Sequence, residues 1–113
     1  MANLDSIFHG LADPTRRAVI TRLAGGPAAV SELAAPHNMA LPSFLKHLKV
    51  LEQAGLVKSQ KLGRVRTCTL AIETMAQVER WISERKSFWE QQYDQLEAHL
   101  ALTATEEKVD DRH

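Results

Sequence analysis

LPSFLKHLKVLEQAGLVKSQKLGRVRTCTL, residues 41–70, reads as a helix closed by Gly55 and two short strands that meet at Gly63. Pro42 suits the first turn of that helix, where a missing amide hydrogen costs nothing. Leu41, Phe44, Leu48 and Leu51 recur at intervals of 3, 4 and 3, which predicts one inward face over residues 41–54. The opposite face offers Ser43, Leu45, Lys46, His47 and Lys49. Strand signals cover 57–62 and 65–70, with β-branched residues and threonines in the second run. Their turn puts Lys61, Arg64 and Arg66 at or near a hairpin tip, within reach of backbone phosphates or a narrow minor groove. The stretch carries Lys46, Lys49, Lys58, Lys61, Arg64 and Arg66 against Glu52 alone, a formal +5 in a chain that is neutral as a whole. Residues 1–40 balance at zero and residues 71–113 carry −5. A basic block of this shape points at phosphates.

Upstream, Leu4, Ile7, Phe8 and Leu11 fall at i, i+3, i+4 and i+7, the spacing of a first helix with one apolar face. Asp13 is suited to cap a second helix, Pro14 to open it, and Gly25-Gly26-Pro27 to stop it, which predicts a helix over 14–24. Val19, Ile20 and Leu23 form its buried face, leaving Arg16, Arg17 and Arg22 to solvent or to anions, with Arg16 a candidate DNA contact. Residues 30–35, VSELAA, make a short third helix ended by Pro36. A short helix, a tight turn and a longer helix with a basic outer face form a helix-turn-helix, whose second helix enters the major groove. The hairpin after it is then a wing.

Downstream, from residue 72 to about 102, Met75, Val78, Trp81, Ile82, Phe88, Trp89, Tyr93, Leu96 and Leu100 form a long apolar stripe on a last helix. Such a helix is too long for a small domain to cover, and so large an aromatic area needs a partner. A second copy of the chain is the expected cover, through Trp81, Phe88, Trp89, Tyr93 and Leu96 together with Leu4, Ile7, Phe8 and Leu11 of the first helix. Residues 1–102 then form one DNA-binding and dimerisation domain, and the polar residues 103–113 a loose tail.

The chain has 113 residues, 44% of them apolar, which fits one domain with a modest core. Its start does not resemble a signal peptide and no stretch approaches a membrane span, so a cytoplasmic protein that does not associate with membranes is expected. The single cysteine, Cys68, fits a reducing compartment and reads as a small packed hydrophobe. His9, His37 and His47 have no nucleophile or carboxylate arranged with them as catalysis needs, so neither an enzyme nor a cofactor is expected.

The segments LADPTRRAVITRL and VSELAAPHNMALPSFLKHLKVLEQAGLVKSQKLGRVRTCTL resemble the ArsR-type winged helix-turn-helix transcriptional repressors, over roughly residues 4–100. The ADPTRR entry to the second helix, the KHLKVLEQAGLV run and the GRVR wing carry the resemblance in the family's order. It implies a mostly α fold with a small β-hairpin, ordered α-α-α-α-β-β-α, dimeric through the first and last helices. It also implies a repressor that binds an imperfect palindrome in a promoter and is released by an effector, whose identity the sequence leaves unknown.

Three positions depart from the family pattern. Many members have serine two residues before the His-Leu pair, where this chain has Leu45, so base reading there rests on apolar contact such as thymine methyl groups. Ala29 and Ala40 stand where serine or threonine would often cap the third and fourth helices. Metal-sensing members place cysteines in the third helix or carboxylates and histidines along the last. Here Glu97, His99, Asp110 and His113 have separations of 2, 11 and 3, like zinc-sensing relatives, but Asp110 replaces a histidine and the set sits late in the chain. Accidental spacing is the better account, and no metal is expected. Leu45 also motivates an alternative: a winged-helix protein-interaction module that has lost specific DNA binding.

Overall fold

Capping, glycine placement and apolar spacing set the helix ends, and the chain follows them closely. The computed structural model describes residues 3–111, with side chains described to 104. Its elements run α1 (Leu4–Leu11), α2 (Pro14–Ala24), β1 (Ala28–Ala29), α3 (Val30–Ala34), α4 (Leu41–Gln53), β2 (Val57–Leu62), β3 (Val65–Leu70) and α5 (Ile72–Asp111). This is the expected winged helix-turn-helix, mostly helical with a small antiparallel sheet. Asn3 caps α1 and Asp13 caps α2, each through a side-chain oxygen that accepts backbone N–H bonds. Ala29 and Ala40 leave α3 and α4 without any side-chain cap bond.

α4 ends in a Schellman turn. Gly55 sits at φ 76°, its N–H donates to Glu52 O at 3.0 Å, and the Leu56 N–H donates to Leu51 O at 3.0 Å. The left-handed glycine turns the chain straight into β2. At the other end of the hairpin, Gly63 has φ 64° while Arg64 keeps a negative φ, and Leu62 pairs with Val65 across the two-residue turn. That is the type II′ pattern, whose twist matches the strands it joins.

One strand was not legible in the sequence. β1 pairs antiparallel with β3, Ala28 opposite Cys68 and Ala29 opposite Thr67, so the sheet has the order β1-β3-β2. Two alanines show neither alternation nor β-branching, so nothing local announced them.

Residues up to Val78 pack as one unit, and the remainder of α5 from Glu79 forms a second. In the first unit Ile7, Val19, Leu23, Leu33, Phe44, Leu48, Leu51, Leu56, Val57, Cys68 and Val78 form the core, with Leu4, Leu11 and Met75 packed against it. Gly10 lets α1 approach closely: a Cβ there would lie 3.0 Å from Leu56 Cδ1 and 3.3 Å from Ala54 Cβ. The start of α5 is tied to the same unit by the Ala71 N–H bond to Leu56 O at 2.9 Å and the Thr74 hydroxyl bond to Gly55 O at 2.6 Å.

Two placements differ from the sequence reading. Leu41, expected on the inward face of α4, is 54% exposed, because it occupies the first turn of the helix, one turn beyond Phe44 and the core. Ile7, expected at a dimer interface, is 0% exposed within the single chain, since the stripe of α1 is spent on α2 and α4 and Phe8 is its exposed member. α5 also continues past the break expected near residue 102, to Asp111. The sequence there, TATEEKVDD, holds no glycine or proline to stop it.

Candidate nucleic-acid interface

On α4, every third or fourth residue is buried, so the intervening positions are forced outward. Phe44, Leu48 and Leu51 anchor the helix, and Ser43, Leu45, Lys46 and Lys49 stand exposed on its other side. Leu45 is 37% exposed, well above the buried residues of the same helix. On the wing, Lys61, Leu62, Arg64 and Val65 are exposed around the Gly63 turn. Lys46, Lys49, Lys61 and Arg64 have no carboxylate partner among the described residues.

The other cations of the basic block are engaged within the chain. Lys58 Nζ lies 3.4 Å from Glu73 Oε2. Arg66, opposite Lys61 in the ladder, turns back to α4: its Nη2 donates to Glu52 Oε1 at 3.0 Å and its Nε to Ser59 Oγ at 3.1 Å. Ser59 in turn donates to Glu52 Oε1 at 2.9 Å. Arg66 therefore braces the wing against α4 rather than crowning its tip. Glu52 and Ser59 supply the acceptors that hold it there, while the turn itself is formed by Gly63 and Arg64.

Arg16 also points inward. Its Nε donates to Gly10 O at 2.8 Å, its Nη2 to His9 O at 3.0 Å, and its Nη1 lies 3.0 Å from His47 Nδ1. Asp13 completes the cluster: its Oδ2 accepts the Arg16 N–H at 3.0 Å and lies 3.7 Å from His47 Nδ1. The Arg16 backbone N–H above all holds the Asp13 carboxyl below the usual carboxylate range, against the opposing effect of burial and with the Arg16 guanidinium adding to it. The sequence marked Asp13 as a cap and both Arg16 and His47 as DNA-contact candidates, but nothing local joined Arg16 to His47, thirty-one positions away. Glu52 was missed altogether as the partner of Arg66. Its lone negative charge in a basic block was the available signal.

Cys68 is fully buried, and burial pushes its thiol up, with Glu52 adding to the shift and Arg66 opposing it. Among the described residues, no three histidines, cysteines or carboxylates gather as a metal site would need. Glu97 and His99 are exposed, while the Asp110 side chain and His113 lie outside the described residues. No described helix is long and apolar enough to cross a membrane.

In the second unit, Phe88, Trp89, Tyr93, Leu96 and Leu100 are exposed, while Trp81 is half-buried beneath Arg85, whose guanidinium lies 4.8 Å from the centre of its ring.

Comparison with known proteins agrees with this geometry. A family model described as a helix-turn-helix domain matches residues 11–60. The HTH-type transcriptional regulator Rv2034 of Mycobacterium tuberculosis is 46% identical over 66 residues, 58% of this chain and 62% of that protein. The match to that regulator thus spans less than two thirds of its length. The transcriptional repressor SdpR of Bacillus subtilis is 31% identical over 61 residues, 54% of this chain and 68% of that protein. The crystal structure of an ArsR family transcriptional regulator, RHA00566, superposes with a TM-score of 0.72 at 55% identity, covering 77% of this chain and 96% of that one. With this identity over nearly the whole of a solved relative, and with the helix-turn-helix and wing in place, the chain belongs to the ArsR family of winged helix-turn-helix transcriptional regulators.

Proposed function

We propose that the protein is a sequence-specific DNA-binding repressor that acts as a homodimer on an imperfect palindrome. The observation that carries this reading is the division of the basic block. Arg66 and Lys58 are paired with carboxylates, whereas Lys46 and Lys49 on α4 and Lys61 and Arg64 on the wing are exposed without one among the described residues. Charges left unpaired on one helix and one hairpin tip suit a polyanion with a groove between two phosphate rows. α4 would enter the major groove with Ser43, Leu45, Lys46, His47 and Lys49, and the wing would reach backbone or minor groove with Lys61 and Arg64. Repression is supported by the likeness to a relative named a transcriptional repressor.

The dimer is supported by the last helix. Ile82, Lys86, Trp89, Tyr93, Leu96, Leu100 and Thr103 recur at alternating intervals of 4 and 3, a 3.5-residue period that suits a helix pairing with a copy of itself. Phe8 is the exposed apolar contribution of α1.

A gel shift with the protein's own promoter region tests the reading, and binding no tighter than to random duplex at every salt from low to physiological would sink it. The exposed Leu45 and Leu41 favour a second reading, a protein-interaction module on the same fold. Reversing Lys46 and Arg64 to glutamate separates the two: repression collapses if DNA is the partner and survives if a protein is.

A further inference from the structure

We propose that Arg16 is a positioning residue for DNA recognition: it fixes the tautomer and orientation of His47 so that the ring presents an Nε2–H donor to the operator. The inference rests on the DNA-binding reading above and specifies one contact within it.

The chemistry of the pair leaves little choice. Arg16 Nη1 lies 3.0 Å from His47 Nδ1, a hydrogen-bond distance. A guanidinium carries only donors, so the contact requires the lone pair of Nδ1, and the ring proton of neutral His47 must then sit on Nε2. With the proton on Nδ1 instead, two N–H groups would face each other. Asp13 Oδ2 does not compete as an acceptor for an Nδ1–H, because 3.7 Å is beyond a hydrogen bond.

Apart from His47, the guanidinium is held at two points and the backbone of Arg16 at a third. Nε donates to Gly10 O and Nη2 to His9 O, both at the end of α1, while the Arg16 N–H is capped by Asp13. The planar fork therefore cannot swing to follow a moving imidazole, and the imidazole must conform to it. Nε2 has no partner among the described residues, and the side chain of His47 is 26% exposed on α4 between the exposed Lys46 and the core residue Leu48. Leu45 offers no polar atom to read a base, so a fixed N–H donor one position from Lys46 supplies polar readout that the leucine cannot.

The test combines ring spectroscopy with a mutant cycle. Nitrogen-15 NMR of the free, unmutated full chain should show the His47 ring in the Nε2–H form, and an Nδ1–H ring would overturn the proposal whatever the DNA result. Affinity would be measured on a duplex selected from a random library by the unmutated protein. Arg16→Met and His47→Ala should each weaken it roughly tenfold, and the double variant no further than His47→Ala alone, because Arg16 acts through the ring. His47→Gln, which keeps a donor near the Nε2 position, should recover most of the loss, whereas His47→Asn should not. Additive losses, or full affinity in His47→Ala, would overturn the positioning role while specific binding by the unmutated protein stands. If the selection yields no duplex bound above random sequence, the DNA-binding reading fails instead, a result distinct from both. Should Arg16→Met unfold, the tautomer measurement and the His47 series still decide the matter.

Discussion

Arg66 on β3 and Glu52 on α4 form a two-point ion pair, with Arg66 Nη2 3.0 Å from one carboxylate oxygen of Glu52 and 3.2 Å from the other. The pair joins the strand of the wing to the last turns of the helix that would enter the groove. Arg66 is about half exposed and Glu52 a quarter, so solvent screens much of the attraction and the pair works mainly as a geometric brace. Glu52→Ala should lower stability by about 1 kcal/mol and raise amide exchange in β2 and β3. Exchange no faster than in the parent would mean that the wing does not lean on Glu52.

The same pairing separates Arg66 from its neighbour at the tip. Arg64→Gln should reduce the slope of log affinity against log salt by about one, as the loss of one phosphate contact does. Arg66→Gln should leave the slope nearly unchanged. Salt titrations of fluorescence anisotropy on one duplex compare the two, and equal slopes for both variants would place Arg66 on the phosphates after all.

Asp13 makes stability depend on acid in a defined direction. Its carboxyl is held below the ordinary value near 3.8, chiefly by the Arg16 N–H it accepts at the start of α2. A carboxyl lowered on folding stabilises the fold above its unfolded value, and the contribution fades as pH falls through the lowered one. Asp13→Ala should cost about 1 kcal/mol at neutral pH. The gap between the melting temperatures of parent and variant should close below about pH 4, the window set by that ordinary value. A gap constant down to the strongest acid tolerated would count against the cap as its source.

Trp89 is 72% exposed on α5, so within one chain its removal forfeits little packing. Trp89→Ala should therefore leave secondary structure and the wing unchanged while weakening self-association by about 2 kcal/mol, the cost typical of a central aromatic anchor. Sedimentation equilibrium measures this, and an unaltered dimer would remove Trp89 from the interface.

Cys68 faces β1 across the ladder and is fully buried, with its thiol pushed up by that burial. It should react with a thiol-specific disulfide reagent far more slowly in the native chain than in denaturant. Fast labelling of the native protein would contradict its placement. Cys68→Ser would bury a hydroxyl among apolar neighbours and should destabilise by about 1 to 3 kcal/mol.

The sequence by itself determined the elements whose signals are local: Asp13 and Pro14 for the start of α2, Gly55 and Gly63 for the two sharp turns, and the spacing of Phe44, Leu48 and Leu51 for the buried face of α4. Caps, left-handed glycines and helical periods act within one or two turns, so they can be read along the chain. The sequence also marked the outward face of α4, because whatever lies opposite a buried face must point away from the core.

Only the tertiary structure decided which cations stay available. Arg16 finds His47 thirty-one positions away, and Arg66 finds Glu52 fourteen away, because α4 is brought against the α1–α2 turn on one side and the hairpin on the other. The same packing recruited Ile7 to the core and paired Ala28 with Cys68. Long side chains choose partners by distance in space, and a charge count along the chain cannot tell a guanidinium that is bonded on three sides from one left open to solvent.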